Sequence, residues 1–420
     1  MKFTFALTFL FSSAFFLSAQ VDTVQIQQHL EKAQRFFSEN EYQKTIQACK
    51  NALDLLSTKK EKHPNLAADA YYLFGYAREQ SGAFSEAIDA YQQAIDYYEK
   101  GGLLQQQIQS QLRMGWAYFY QKDITKSHES FQEALIILET LPLEDHLRLY
   151  LSTYSGIGVY HAESNDMDNA ITYFKNVLSL CLEYIPDDFL GIASAYNSLG
   201  ICYRRLNELE KAVEYHTKAL EYRQREAPES LAVGWSSNNL GLCYMGLEKY
   251  EQALRFFYKA YTIYLDSYGN DHPYIATVLD NIGICYRQMG NFESALSHQQ
   301  KGLERLFQIY GKNHPEVAYS FRTISDVYSE MGDTEAARAY IQKAETSIRA
   351  YLSELPYKNA AGLMELVFVL EDKTVQMEAA REKKHGKVDR DQLLEAYLEL
   401  IDIIDTVKAD FQEEGSKLRL

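Results

Sequence analysis

Small residues recur along the chain at a nearly constant interval. Ala33, Gly75, Gly115, Gly158, Gly200, Gly241, Gly283 and Ser325 are separated by 42, 40, 43, 42, 41, 42 and 42 residues, which divides the chain into eight repeats. Twelve residues after these anchors stand six alanines, with Thr45 and Ser127 in the other two repeats. Nineteen after them stand Ala52, Ala94, Ala134, Val177, Ala219, Ala260, Gly302 and Ala344. Small side chains at fixed offsets mark places where two antiparallel helices cross closely enough that only a methyl group or less fits between the backbones. Three residues after the anchor, six of the eight positions are aromatic, the exceptions being Arg78 and His161. Each repeat is therefore predicted to be a long helix, a short turn such as Asn207-Glu208, Glu248-Lys249 or Gly290-Asn291, and a second helix.

The prolines support this register independently. All seven, from Pro64 to Pro356, fall between repeats, and the one junction without proline carries Gly101-Gly102. Proline is tolerated in the first turn of a helix and costs about 3 kcal/mol in its interior, so its placement marks where each repeat begins. Asp271-His272-Pro273 and Asn313-His314-Pro315 place capping-type residues just ahead of the helices that run through Tyr286 and Tyr328.

These offsets resemble the tetratricopeptide repeat. The resemblance is carried by Leu199-Gly200-Ile201-Cys202-Tyr203, by the same pattern from Leu240 to Tyr244, and by Ala253, Phe257 and Ala260 downstream, and it covers roughly residues 24–350. The family's usual period is about 34 residues; here the spacing from anchor to last alanine is kept and the extra residues lengthen the junction. With Tyr268-Gly269-Asn270-Asp271-His272-Pro273 and Tyr310-Gly311-Lys312-Asn313-His314-Pro315, the repeat looks like the kinesin light chain type. The resemblance implies an all-α fold, a right-handed superhelical solenoid of about eight helix-turn-helix units forming one elongated domain with a concave groove. Residues 357–420 would close its end as helical cap or linker. The stretch from Tyr397 to Lys417 resembles the segment that precedes a caspase-like CHAT domain. The protease itself would need a histidine-cysteine dyad. No cysteine follows Cys285, and His385-Gly386 reads as a turn.

Composition narrows the functional classes. Of 420 residues, 42 are Lys or Arg and 58 are Asp or Glu, for a net charge of -16, which argues against a nucleic-acid partner because phosphate backbones require clustered cations. Residues 1–19 read as a signal peptide: Lys2, a charge-free run from Phe3 to Leu17, and Ser18-Ala19-Gln20 at a cleavage site near Ala19. Export to the periplasm or medium is the expectation, with no membrane span after the leader is removed. The five cysteines are an odd number; Cys202, Cys243 and Cys285 are 41 and 42 residues apart at equivalent repeat positions, which marks them as buried packing residues. No phosphate loop, nucleophile elbow or His-Glu-x-x-His is present, so neither an enzyme, a metal site nor a cofactor is expected.

In tetratricopeptide arrays, the face of the first helix that includes the position three before the anchor lines the groove. Here that position holds Ser155, Asn197, Asn238, Asp280 and Arg322, and two turns further along the same face stand Ala162, Arg204, Met245, Arg287 and Ser329. Asparagine offers a donor and an acceptor to an extended peptide backbone, and arginine pairs with carboxylate or phosphate. Trp235, one turn before Asn238, is the candidate aromatic anchor. The expected ligand set is thus Asn197, Arg204, Trp235, Asn238, Asp280, Arg287 and Arg322, and the expected function is a scaffold that binds a peptide or partner protein in the groove. Two alternatives stand beside it, the substrate-recognition arm of a CHAT protease and the sensor ectodomain of a signalling protein. The oligomeric state is left open.

Overall fold

The computed structural model describes residues 23–57, 63–354, 360–383, 398–399 and 401–404. The leader, His385-Gly386 and most of the segment from Tyr397 to Lys417 likened to a CHAT linker lie outside these residues. The residues group into two compact units, Met1–Pro186 and Asp187–Leu420, where repeat continuity alone implies a single elongated domain. No strand occurs among the described residues. In the first unit, α1 (23–38) pairs with α2 (Tyr42–Leu56), α3 (Pro64–Gln80) with α4 (Phe84–Gly101), α5 (Leu104–Tyr120) with α6 (Ile124–Leu138), and α7 (Leu143–Glu163) with α8 (Met167–Tyr184). In the second, α9 (Phe189–Arg205) pairs with α10 (Leu209–Glu226), α11 (Leu231–Gly246) with α12 (Tyr250–Tyr268), α13 (Pro273–Gln288) with α14 (Phe292–Tyr310), and α15 (Pro315–Glu330) with α16 (Thr334–Glu354). A further helix, α17 (Ala360–Lys383), packs on α16 and α15, and Ile403 and Ile404 join the same core.

Within each unit, a second helix packs against its own first helix and against the first helix of the next hairpin. The anchor glycines are explained by a ring sixteen residues downstream. Tyr91, Phe131, Phe174 and Phe257 lie over Gly75, Gly115, Gly158 and Gly241, so closely that a Cβ on Gly241 would stand 2.6 Å from the Phe257 ring. The anchor is small because a side chain of the partner helix occupies its place. The aromatic residue three after the anchor stacks on a ring twelve residues further on, as in Tyr203–Tyr215 and Tyr328–Tyr340 at centroid separations of 5.1 and 5.4 Å.

The turn inside every hairpin has one geometry. The residue seven after the anchor is left-handed: Asn40, Gly82, Lys122, Asn165, Asn207, Glu248, Gly290 and Gly332 all have positive φ. The following N–H donates to the carbonyl of the residue three after the anchor at 2.8 to 3.0 Å, from Glu41 to Phe36 through Asp333 to Tyr328. This is the helix-ending loop that satisfies an orphan carbonyl while reversing the chain. Glycine or asparagine occupies six of the eight positions, and Lys122 and Glu248 hold the same backbone at a steric cost.

The long junctions are organised by their histidines. Gly269 and Gly311 adopt φ +73°, ψ -168° and φ +75°, ψ -166°, a region open essentially to glycine alone. The chain then folds back so that Tyr268 stacks on His272 and Tyr310 on His314, each at 3.9 Å. His272 Nδ1 accepts from the Tyr274 N–H and His314 Nδ1 from the Glu316 N–H, both at 3.2 Å. The histidines are the caps here, because Pro273 and Pro315 fix the first helical position immediately after them. His63, also before a proline, makes no such bond.

Two repeats replace the packed ring with a polar group. His216 lies over Gly200 and Gln299 over Gly283, both wholly buried, and neither ring nitrogen of His216 nor either amide atom of Gln299 has a hydrogen-bond partner among the described residues. Burial first, then the Arg204 and Arg223 guanidiniums, push the His216 imidazole down to about 3.

Two outcomes follow. Replacing Glu248 or Lys122 by glycine relieves the left-handed backbone and is expected to stabilise the fold by about 1 kcal/mol each in thermal melts, with Asn207→Gly giving less; no gain at either site would contradict the turn assignment. His216→Phe restores the packed ring and removes two unsatisfied polar atoms, a gain of about 1–3 kcal/mol. Because the folded imidazole takes its proton near 3 and the unfolded one near 6.5, the unfolded chain is protonated first and wild-type stability falls as pH drops through that window. The gap between variant and wild type is therefore expected to widen from pH 7 to pH 5, and a constant gap would show that His216 is not held neutral.

Candidate functional site

First helices of neighbouring hairpins touch, α3 with α5 and α5 with α7 in the first unit and α11 with α13, α13 with α15 and α15 with α17 in the second, so equivalent first-helix positions become neighbours along one face. In the second unit this face opens into a cleft of about 390 Å³ that brings together Asn197 from α9, Trp235 and Asn238 from α11, and Tyr274 and Thr277 from α13. Three of the seven expected ligand residues thus meet in one place. Asn197 Oδ1 accepts from Asn239 Nδ2 at 3.0 Å, which holds that amide in place. Asn238 Oδ1 is buried with no hydrogen-bond partner among the described residues, an acceptor left open. Trp235 keeps 42% of its surface exposed, as an aromatic wall requires.

The other four expected residues are placed differently. Asp280 is 4% exposed and points into the hairpin core, where it accepts from Ser320 Oγ at 2.8 Å and where burial pushes its carboxyl up to about 7. Arg287 already faces two carboxylates of α15, Asp326 at 2.8 Å and Glu330 at 3.6 Å. Arg322 bridges to α17 through Glu365 at 3.3 Å and Asp372 at 3.4 Å, with its guanidinium over Phe368. These three side chains serve the contacts between repeats. Arg204 differs from the other two arginines in its charge partner: its Nε, like that of Arg287, is buried without a hydrogen bond, but no carboxylate pairs with it among the described residues.

Two cleft residues lie outside the first-helix pattern. Asn239 is the neighbour that fixes Asn197. Arg223 comes from the last turn of α10 and lines the cleft from behind, donating through Nη1 to the Ala232 carbonyl at 3.0 Å and to Ser236 Oγ at 2.7 Å. Its signal in the sequence is a column: twenty-three residues after the anchors the chain reads Leu56, Tyr98, Leu138, Cys181, Arg223, Tyr264, Leu306 and Ile348, one cation among seven core residues.

All five cysteines are buried thiols, and burial pushes those of Cys202 and Cys243 up to about 11 and those of Cys49 and Cys285 to about 12, which keeps these four protonated. No group of three potential metal-ligating side chains occurs among the described residues. No helix among them is long and apolar enough to cross a membrane.

Sequence profiles of the tetratricopeptide repeat match residues 149–225 and 232–306, and a second profile of the same repeat matches 68–100 and 323–351. The chain belongs to the tetratricopeptide repeat family. No curated protein matches it in sequence. Among solved structures, the apo form of RapI superposes with a TM-score of 0.60 at 15% identity, covering 91% of this chain and 98% of that one. The apo form of the quorum sensor NprR from B. thuringiensis gives 0.60 at 14% identity over 77% and 87%. A Rap protein complexed with competence and sporulation factor gives 0.52 at 14% identity over 91% and 98%. At these identities the likeness is one of fold.

The ion pairs separate the arginines experimentally. Arg287→Glu sets a third carboxylate against Asp326 and Glu330 in a largely buried setting and is expected to cost on the order of 2 kcal/mol in a denaturant melt. Arg204→Glu, which breaks no pair, is expected to leave the midpoint unchanged or higher. Equal losses in the two variants would contradict the pairing.

Proposed function

We propose that this chain is a protein-interaction module and that the cleft of its second unit takes an extended peptide segment. The observation that carries this reading is the open acceptor of Asn238, buried beside an exposed indole in a cleft whose neighbouring amide is already oriented. An extended backbone presents N–H groups that a buried amide oxygen can receive, and its side chains pack on aromatic walls. The fold likeness to RapI and NprR supports a binding role, as does the similar fold of a Rap protein complexed with competence and sporulation factor. The protonated, sealed cysteines favour binding over catalysis.

The test begins with 12-residue peptides selected by display on the full chain. Their affinity is expected to fall roughly tenfold on Asn238→Ala and at least as much on Trp235→Ala, the loss of one buried hydrogen bond or one aromatic anchor. Binding should also shift the emission of Trp235, one of only two tryptophans. Selected peptides that bind both variants as tightly as wild type would place the interaction elsewhere.

A further inference from the structure

Arg223 is a charge that the fold leaves unanswered. It is 8% exposed, in a column that every other repeat fills with a core residue, and only its Nη1 is engaged, by a carbonyl and a hydroxyl. Burying a guanidinium without a counter-ion costs several kcal/mol, so a fold normally supplies a carboxylate. This chain has carboxylates in excess and supplies them elsewhere: Arg78, Arg113, Arg287, Arg322 and Arg349 each hold an ion pair of 3.3 Å or shorter. Arg204 and Arg223 hold none among the described residues. Tyr264, the neighbour whose charge would complement Arg223, is a phenol that burial keeps protonated. The two guanidiniums flank the same buried imidazole, His216, and make a local positive field inside an acidic protein.

We propose that the cleft is a carboxylate subsite, in which an acidic side chain of a bound peptide pairs with Arg223 in the field of Arg204. Asn238 Oδ1 then accepts an adjacent backbone N–H, while Trp235 and Tyr274, 42% and 43% exposed, cover the neighbouring residue. The subsite rests on the peptide-binding reading above and adds its selectivity: the ligand brings the anion that the fold withholds. Charge complementarity within a partly dry cleft makes such a pair stronger than one at an open surface.

The experiment compares two pools of synthetic nonapeptides, acetylated and amidated at their ends and randomised without Asp or Glu, one with Glu and the other with Gln fixed at the centre. Both are passed over the immobilised full chain. Retention of the Glu pool is expected to exceed that of the Gln pool by roughly tenfold, with the ratio falling as salt rises. Arg223→Gln, confirmed folded by its helical spectrum, is expected to erase the ratio and keep the weaker retention. Arg204→Gln is expected to reduce it in part. The contrast on wild-type protein stands even if Arg223→Gln does not fold. Equal retention of the two pools would overturn the subsite while leaving peptide binding intact, and retention of neither would overturn both. A Gln pool with free C-terminal acids that is held as well as the Glu pool would move the carboxylate to a chain terminus and overturn the side-chain assignment. A Glu preference that survives in folded Arg223→Gln would remove Arg223 from the site.

Discussion

A second-helix ring resting on a first-helix residue without a side chain sets the geometry of the hairpins. The contact fixes how far apart the two helices lie, and it recurs over Gly75, Gly115, Gly158 and Gly241. A wholly buried ring such as Phe257 contributes about 1.5–3 kcal/mol by leaving water, and the close approach lets the short left-handed turn seven residues after the anchor join the helices. With that separation set, the next first helix packs into the groove behind, and stability accumulates from one hairpin to its neighbour. The long junctions then need only deliver the chain to the next anchor. Gly269 and Gly311 do so by adopting a backbone that other residues avoid, with a stacked Tyr-His pair closing the loop.

Most of this was legible because it is local and repeated. The anchors, the alanine columns, the prolines and the turns each recur at fixed offsets, so a single misleading residue carries little weight. The capping residues ahead of Pro273 and Pro315 were legible too: a proline in the first turn makes the residue before it the cap, and the imidazole Nδ1 of His272 or His314 reaches the N–H two residues on. The groove was half legible for a different reason. An offset from the anchor says which face a residue occupies and nothing about what stands opposite. Asp280, Arg287 and Arg322 are answered by Ser320, Asp326 and Glu365, residues about forty positions downstream that become neighbours only when first helices stack. Arg223 was hidden because attention to the first helices leaves the second helices as filler, although its column betrays it.

The distribution of charge separates structure from site. Acidic residues outnumber basic ones by sixteen, so an arginine with no carboxylate partner is improbable in this chain unless something keeps acids away. Between repeats the acids are present and the arginines become struts, as Arg322 does between α15 and α17. Around α9, α10 and α11 the glutamates pair with lysines, as Glu208 does with Lys211 and Glu214 with Lys218, and none pairs with Arg204 or Arg223 among the described residues, so that Arg204, His216, Arg223 and Asn238 carry unsatisfied atoms or unbalanced charge. Two of them occupy columns that elsewhere are apolar core. They sit seven residues apart on α10, two turns along one helix face, and so belong to one patch of the interior.

That patch weakens the fold in a specific way. A ring at His216 and an apolar residue at Arg223 would pack as their counterparts do in other repeats, so the local cost is not imposed by the architecture. A neutral His216 matters to the outcome: held without its proton by burial and by the two flanking guanidiniums, it adds no third cation and offers no anion to neutralise them. The field of Arg223 therefore reaches the cleft without being neutralised by any carboxylate among the described residues. The cleft inherits from this an asymmetry that a merely polar groove lacks, with a positive inner wall, an open amide acceptor beside it and aromatic surface at its mouth. Strong preference for one kind of partner comes from such buried groups left incomplete, since a ligand without the matching atom leaves their cost standing.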